Sequence, residues 1–192
     1  KYSKKGRSVY LGQSGTPLWS ISEGFWGYRS VHKTVMDRNK IGSSTDTGIS
    51  FKGKLDEEGK VNVHLMVGNG AGTGAETNNR KKVYSLIHLK PSKRIEATAG
   101  FEWEKGSNDR DRMTFSGLIG SSSKEFTVAL EGFLKINKNQ AFGSDVQQRG
   151  LSMFGRARIN DKTRLLGRVD LFDPSDQAGS DNEYLFIVGI DL

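Results

Sequence analysis

The sequence predicts an all-β fold: an antiparallel, up-and-down transmembrane β-barrel, with residues 1–192 forming one domain. Three observations predict it. Apolar and polar residues alternate with a period of two along most of the chain, which gives each strand one apolar and one polar face. The connections between these strands run short and long by turns, as in barrels with tight turns at one rim and loops at the other. The apolar face is also rich in small residues, including Ala97, Ala99, Gly117, Gly155 and Gly167, which pack a protein core poorly and cost little against fluid acyl chains.

The strands follow in order. Val9 and Leu11 alternate with Ser8 and Tyr10; Ile49, Phe51 and Leu55 with Ser50, Lys52 and Lys54. Val61, Val63, Leu65 and Val67 oppose Asn62, His64 and Met66, and Val83, Ile87 and Leu89 oppose Tyr84, Leu86 and His88. In "RIEATAGFEWEKG" the apolar set is Ile95, Ala97, Ala99, Phe101 and Trp103. Met113, Phe115 and Ile119 come next, then Phe126, Val128, Leu130, Leu134 and Ile136. Leu151, Met153, Ala157 and Ile159 precede Leu165, Val169 and Leu171, and the last set is Tyr184, Phe186, Val188 and Ile190. That makes about ten strands, either a whole small barrel or part of a larger one. Trp103, Phe126, Tyr184 and Phe186 fall near strand ends, where an interfacial aromatic girdle sits.

The short connections are 56–59, 90–93, 121–125 and 160–163; the longer ones are 68–80, 105–111, 137–149 and 173–183. One insertion, 16–46, has no period-two reading. Val31, Val35 and Met36 suit one side of a short helix there, and the insertion belongs to the long-loop rim. Folded inward it is a constriction loop, with Trp26, Tyr28, Arg29 and His32 as its candidate residues; left outside it is a lid or a subunit contact.

Composition narrows the functional classes. The chain has 24 glycines, 3 prolines and no cysteine, so neither a disulfide framework nor a thiolate metal site is available. The net charge of +7 points to an anionic partner. No apolar run is long enough for a membrane helix. The opening "KYSKKGRSVY" reads as mature sequence or as the interior of a longer one. His32, His64 and His88 lack metal-ligand spacing, so no metal and no cofactor is expected. "GNGAGTG" at 68–74 lacks the Lys-Ser/Thr ending and the helix of a phosphate loop. No enzymatic constellation emerges.

On the polar parity, the candidate pore-lining residues are Lys52, Lys54, Arg94, Arg110, Arg112, Glu131, Lys135, Arg156, Arg158, Arg164 and Arg168. Arg156 and Arg158 face Arg164 and Arg168 across the "NDKT" turn, forming the densest cationic cluster. A cationic surplus raises the local concentration of anions; alternatively, ion pairs within the lumen plug a narrow barrel.

"YLGQSGTP", "EGFWGYRSVHKTVMDRNKIGSSTDTGISFKGKL" and "VNVHLMVGNGAG" together resemble the front part of bacterial outer-membrane porins of the phosphate-selective type. The chain is shorter than such porins, which have about 16 strands, and it ends "GIDL" without a terminal aromatic. The resemblance implies an outer-membrane location, contact with membrane lipid and lipopolysaccharide, and passive diffusion of small polar solutes; the charge adds a preference for anions. Two other functions fit the pattern. One is a non-conducting barrel that scaffolds other envelope proteins or a homo-oligomer. The other is a soluble basic β-barrel that binds an anionic ligand or nucleic acid. The last is disfavoured by the apolar face, so no nucleic-acid partner is expected.

Overall fold

Eleven strands hydrogen-bond to their sequence neighbours in one antiparallel, up-and-down sheet, β1 to β11 in order. They appear in a computed structural model describing residues 1–141 and 143–192. The strands are β1 (Tyr2–Lys4), β2 (Arg7–Gly15), β3 (Thr45–Lys54), β4 (Val61–Gly68), β5 (Lys82–Leu89) and β6 (Ile95–Glu104). They continue as β7 (Arg112–Ser122), β8 (Phe126–Ala141), β9 (Ser144–Arg158), β10 (Arg164–Asp173) and β11 (Glu183–Asp191). Two helices, α1 (Trp19–Trp26) and α2 (Val35–Arg38), lie between β2 and β3. In each helix one side is buried, and no helix is long and apolar enough to cross a membrane.

The period-two reading holds strand by strand. On β4 the even positions His64 and Met66 are buried while Leu65 and Val67 are exposed. On β8 Thr127, Ala129, Glu131 and Phe133 are buried between exposed Phe126, Val128 and Leu130. The ladder keeps like faces together: Ala99 pairs with Gly117 and Gly117 with Gly132, while Glu102 pairs with Thr114 and Tyr84. The outward face is thus mostly apolar, while the inward face mixes charged and hydroxyl groups with the apolar seats Leu86, Leu118 and Leu166.

One expectation is met in part and two are corrected. First, the fold is all-β, antiparallel and up-and-down, but the sheet as it stands is not closed: β1 and β11 each have a single neighbour. The eleventh strand is the short β1, which pairs with β2 only from Arg7 to Val9. Second, the long connection expected at 137–149 is mostly strand. Ile136 pairs with Gln147 and Asn137 with Val146, and a register irregularity follows between Asn137 and Ala141. "NKNQ" and "DVQQR" show no alternation because they carry polar residues on both faces, and backbone pairing sustains the ladder there. The strict short-and-long order of connections breaks at this hairpin. Third, Val31 is exposed and outside any helix; Val35 and Met36 are buried on α2, and the longer helix, α1, lies upstream of them.

The sequence of α1 explains its end. Trp19, Ser22, Phe25 and Trp26 share its buried side. Gly27 then takes the left-handed conformation (φ 72°) and its N–H donates to the Glu23 carbonyl at 2.8 Å, a glycine C-cap.

Candidate functional site: a polar concave wall and its insert

The functional surface suggested by the sequence is the inward parity, and the structure places the 16–46 insertion against it. Leu18 and Trp19 pack with Leu86, Phe133 and Phe172, joined by Val35, Met36 and Ile41; Phe25 and Trp26 pack with Leu118, Ala129, Phe154 and Leu166. Aromatic residues on the charged parity thus serve as seats for the insert. So do glycines. A Cβ on Gly100 would lie 2.1 Å from Leu18 Cδ2, and one on Gly120 2.4 Å from Phe25 Cε1.

The contacts trace the insert's path. From Leu18, beside the middle of β6, it descends to Phe25 at Gly120 and to Gly27 beside Arg156. Tyr28 Oη donates to Asp191 Oδ2 at 2.9 Å, at the short-turn rim. The chain then climbs back. The Lys33 carbonyl accepts from Arg168 Nη1 at 2.6 Å, and Arg38 Nη2 donates to Glu183 Oε2 at 2.9 Å at the opposite rim.

Of the four candidate constriction residues, Trp26 is 1% exposed and its Nε1 donates to the His32 carbonyl at 2.7 Å. Arg29 braces the insert internally, donating to Glu23 at 2.6 Å and Asp37 at 2.7 Å. His32 is half-buried. Tyr28 is fixed by Asp191, as above.

The eleven candidate pore residues separate by height. Arg168 is mid-wall and buried, with Asp170 against its guanidinium: Nε to Oδ1 is 2.7 Å and Nη2 to Oδ2 is 2.5 Å. Ser152 Oγ donates to the same Oδ1 at 2.6 Å, and the guanidinium stacks 5.3 Å from the Trp26 ring. Glu131 is also buried and mid-wall, and its Oε2 has no hydrogen-bond partner among the described residues. Lys135 and Arg156 are half-buried. Arg94 and Arg110 are exposed near opposite rims, and Arg112 pairs with Glu104 at 2.6 Å near the loop rim. The four-arginine cluster is divided by its counterions. Arg158 meets Asp161, Arg164 lies 3.6 Å from Asp191, and Arg168 holds Asp170. Arg156 has no salt bridge among the described residues.

Lys52 and Lys54 stand apart from these, without a carboxylate partner among the described residues. With Asn62, His64, His88 and Lys90 they line a cleft of about 590 Å³ between β3–β5 and the Pro17–Ile21 side of the insert. The insert therefore covers the inward face over β6–β10 and leaves beside it a cleft that Lys52, Lys54 and Lys90 share with Glu58.

The loop rim is held by a separate group of buried polar residues. Asp46, fully buried, accepts from Tyr84 Oη at 2.7 Å and from the N–H groups of Thr47 at 2.9 Å, Gly70 at 2.9 Å and Gly72 at 3.2 Å. "GNGAGTG" is thus tied down by a carboxylate. Lys82 Nζ lies 2.5 Å from Glu102 Oε2 and over the Tyr84 ring at 4.7 Å. Lys82, Tyr84 and Glu102 all sit on the inward parity, so alternation was the signal for them; their pairing depended on register.

The outward face carries the complementary feature. On β8, Phe126, Val128, Leu130, Leu134 and Ile136 face outward along a strand segment of ten residue steps. At about 3.3 Å per residue and a tilt of about 40° this band is about 25 Å tall. No family model, no curated protein and no solved structure matches this chain.

Proposed function

We propose that the sheet is wall of an outer-membrane β-barrel whose lumen lets small polar solutes diffuse past the insert, with anions favoured. One observation carries this reading. A continuous outward aliphatic band about 25 Å tall, the height of a membrane barrel's apolar zone, backs an inward face of charged, hydroxyl and amide groups. In water that band is an apolar surface far larger than soluble monomers expose, which counts against a soluble anion-binding or nucleic-acid-binding protein. The resemblance to phosphate-selective porins supports the same reading, and the basic cleft of Lys52, Lys54 and Lys90 supplies the anion preference.

The dry packing of Trp26, Phe154 and the Arg168–Asp170 pair favours a second reading, in which the insert stops conduction and the barrel scaffolds other envelope components. Planar-bilayer recording in a salt gradient separates the two. The channel reading expects steady conductance with an anion-selective reversal potential, moved toward cation selectivity by K52E/K54E/K90E. Silence from folded, inserted protein would leave the scaffold reading, and cation preference in the unaltered chain would overturn the assignment of the lysine cleft.

A further inference from the structure

We infer that the outward face binds one anionic phospholipid: a chain lies in a groove over β9 and β10, and the phosphate sits at the short-turn rim between Lys124 and Lys162. The inference rests on the membrane-wall reading above. The groove is a product of register. Gly155 faces Gly167 across β9 and β10, with Val128 beside the first and Val188 beside the second. Met153 and Val169 form the row above, and Ala157 and Leu165 the row below. Two facing positions without a side chain leave a trough between these rows. Together with Phe126 and Phe186, the surrounding side chains bound a volume of about 540 Å³, within the range of small-ligand sites.

The trough has a complete floor and no cover. β9 and β10 are each paired on both sides. A Cβ on Gly167 would find nothing nearer than the Ile187 carbonyl oxygen at 3.8 Å. The band's other facing glycines, Gly117 and Gly132, differ: Leu151 Cδ1 would lie 3.6 Å from a Cβ on Gly132. In a bilayer an acyl chain gains little by touching one aliphatic surface rather than another, so what a trough adds is van der Waals contact on several sides at once. Shape alone therefore seats a chain without choosing its headgroup.

Charge makes that choice. Below the groove the outward apolar residues end at Phe126 and Leu165, and the turns 121–125 and 160–163 follow. Lys124 and Lys162 lie two and three residues beyond those side chains, about 7–10 Å of chain at about 3.3 Å per residue. Both are exposed, and neither has a carboxylate partner among the described residues. The carboxylates of the same turns are engaged locally: Asp161 meets Arg158, and Glu125 accepts from Ser123 Oγ at 2.9 Å. The two rims differ as well. Turns 90–94, 121–125 and 160–163 carry five cations and two carboxylates, whereas connections 105–111, 138–148 and 174–182 opposite carry three cations and five carboxylates. The cationic surplus thus sits where lysine stems reach from the apolar edge to a lipid phosphate, and an anionic headgroup is its complement.

Native mass spectrometry of the detergent-solubilised chain, with phosphatidylglycerol or phosphatidylcholine added, counts bound lipids directly. Each protein is first shown to insert into vesicles with protease-protected β-structure. A cation beside an anionic headgroup is worth about fivefold in affinity, so two lysines should favour phosphatidylglycerol by about 25-fold at low salt, and added salt should shrink the advantage. K124Q/K162Q should abolish the advantage and leave phosphatidylcholine binding unchanged. G167L fills the groove without a clash and should weaken both lipids. Equal binding of the two lipids, or an advantage that survives K124Q/K162Q, would overturn the inference. Glycerol phosphate bound as tightly as phosphatidylglycerol, with G167L without effect, would overturn it in favour of a bare anion site. A dimer that G167L dissolves would assign the groove to a second copy instead. Failure of the unaltered chain to insert would remove the wall reading and this inference together, whereas inserted protein without lipid preference removes only the inference.

Discussion

An arginine walked along the outward face of β8 tests whether that face meets lipid or water. The positions are Phe126, Val128, Leu130, Leu134 and Ile136, substituted one at a time. Their midpoint is near residue 131. Phe126 and Ile136 are five residues away on either side, which at about 3.3 Å per residue and about 40° of tilt is about 13 Å along the normal. That distance is half the height of the apolar zone. Arginine near the midplane of a barrel wall costs about 2–4 kcal/mol, and near the interfaces about 0–1 kcal/mol. The expected profile is a dome: about 2–4 kcal/mol at Leu130, smaller at Val128 and Leu134, and near zero at Phe126 and Ile136. The assay is reversible denaturant unfolding in the presence of phosphatidylcholine vesicles, with free energies compared at a common denaturant concentration. A surface facing water gives a different answer, since exposed substitutions there stay within about 0.5 kcal/mol. A flat profile would refute the lipid assignment, and a maximum at an end of the strand would refute the placement of the midplane.

Three further predictions concern the insert. Arg168→Met and Asp170→Asn each leave a buried charge without its counterion, the side chains being 1% and 0% exposed; each is expected to cost about 3–5 kcal/mol. The double variant R168M/D170L should cost far less than the sum, and a single-variant cost below about 1 kcal/mol would show the pair to be hydrated. Replacing residues 17–43 by a short glycine-serine linker should raise single-channel conductance several-fold, and an unchanged conductance would show that the restriction lies elsewhere. Burial, and then the hydrogen bond and charge of Asp191, hold the Tyr28 hydroxyl above the ordinary tyrosine range. A raised folded-state value means the contact contributes fully below about pH 10 and is lost as pH rises through the folded value. Stability should therefore fall in alkali, and Tyr28→Phe should abolish that part of the fall.

Strand identity and facing were legible because both depend on local chemistry repeated every second residue. Leu65 and Val67 announce one face of β4 and His64 and Met66 the other, with no knowledge of neighbours. What failed to show was whatever depends on a neighbour or on wet surroundings. The hairpin around 137–149 has polar residues on both faces, so its alternation vanishes while its ladder persists. The open edge was invisible because β2 and β11 alternate like strands with two partners. Helix α1 left a faint mark, with Leu18, Trp19, Ser22, Phe25 and Trp26 at helical spacing ahead of Gly27, but one short window cannot separate that from a loop.

The candidate site was legible in its parts and opaque in its assembly, and the reason is register. Alternation places Arg156, Arg158, Arg164 and Arg168 on one face as four equal cations. Their environments differ because register sets each against something else: Arg158 beside a turn carboxylate, Arg164 at the rim, Arg156 beside Gly27, and Arg168 opposite Phe154 with Asp170 in reach. Only the last is fully buried where the insert covers the wall, and there an isolated charge would be costly. Arg168 accordingly carries both a carboxylate and the Lys33 carbonyl. Charge counting along a strand therefore overstates how many cations a solute meets. Lys52 and Lys54 face the open cleft without a counterion, so the field in that passage depends on these two more than on the larger arginine cluster. If solutes move through this wall, they move along β3 and β4, beside the insert and away from the arginines.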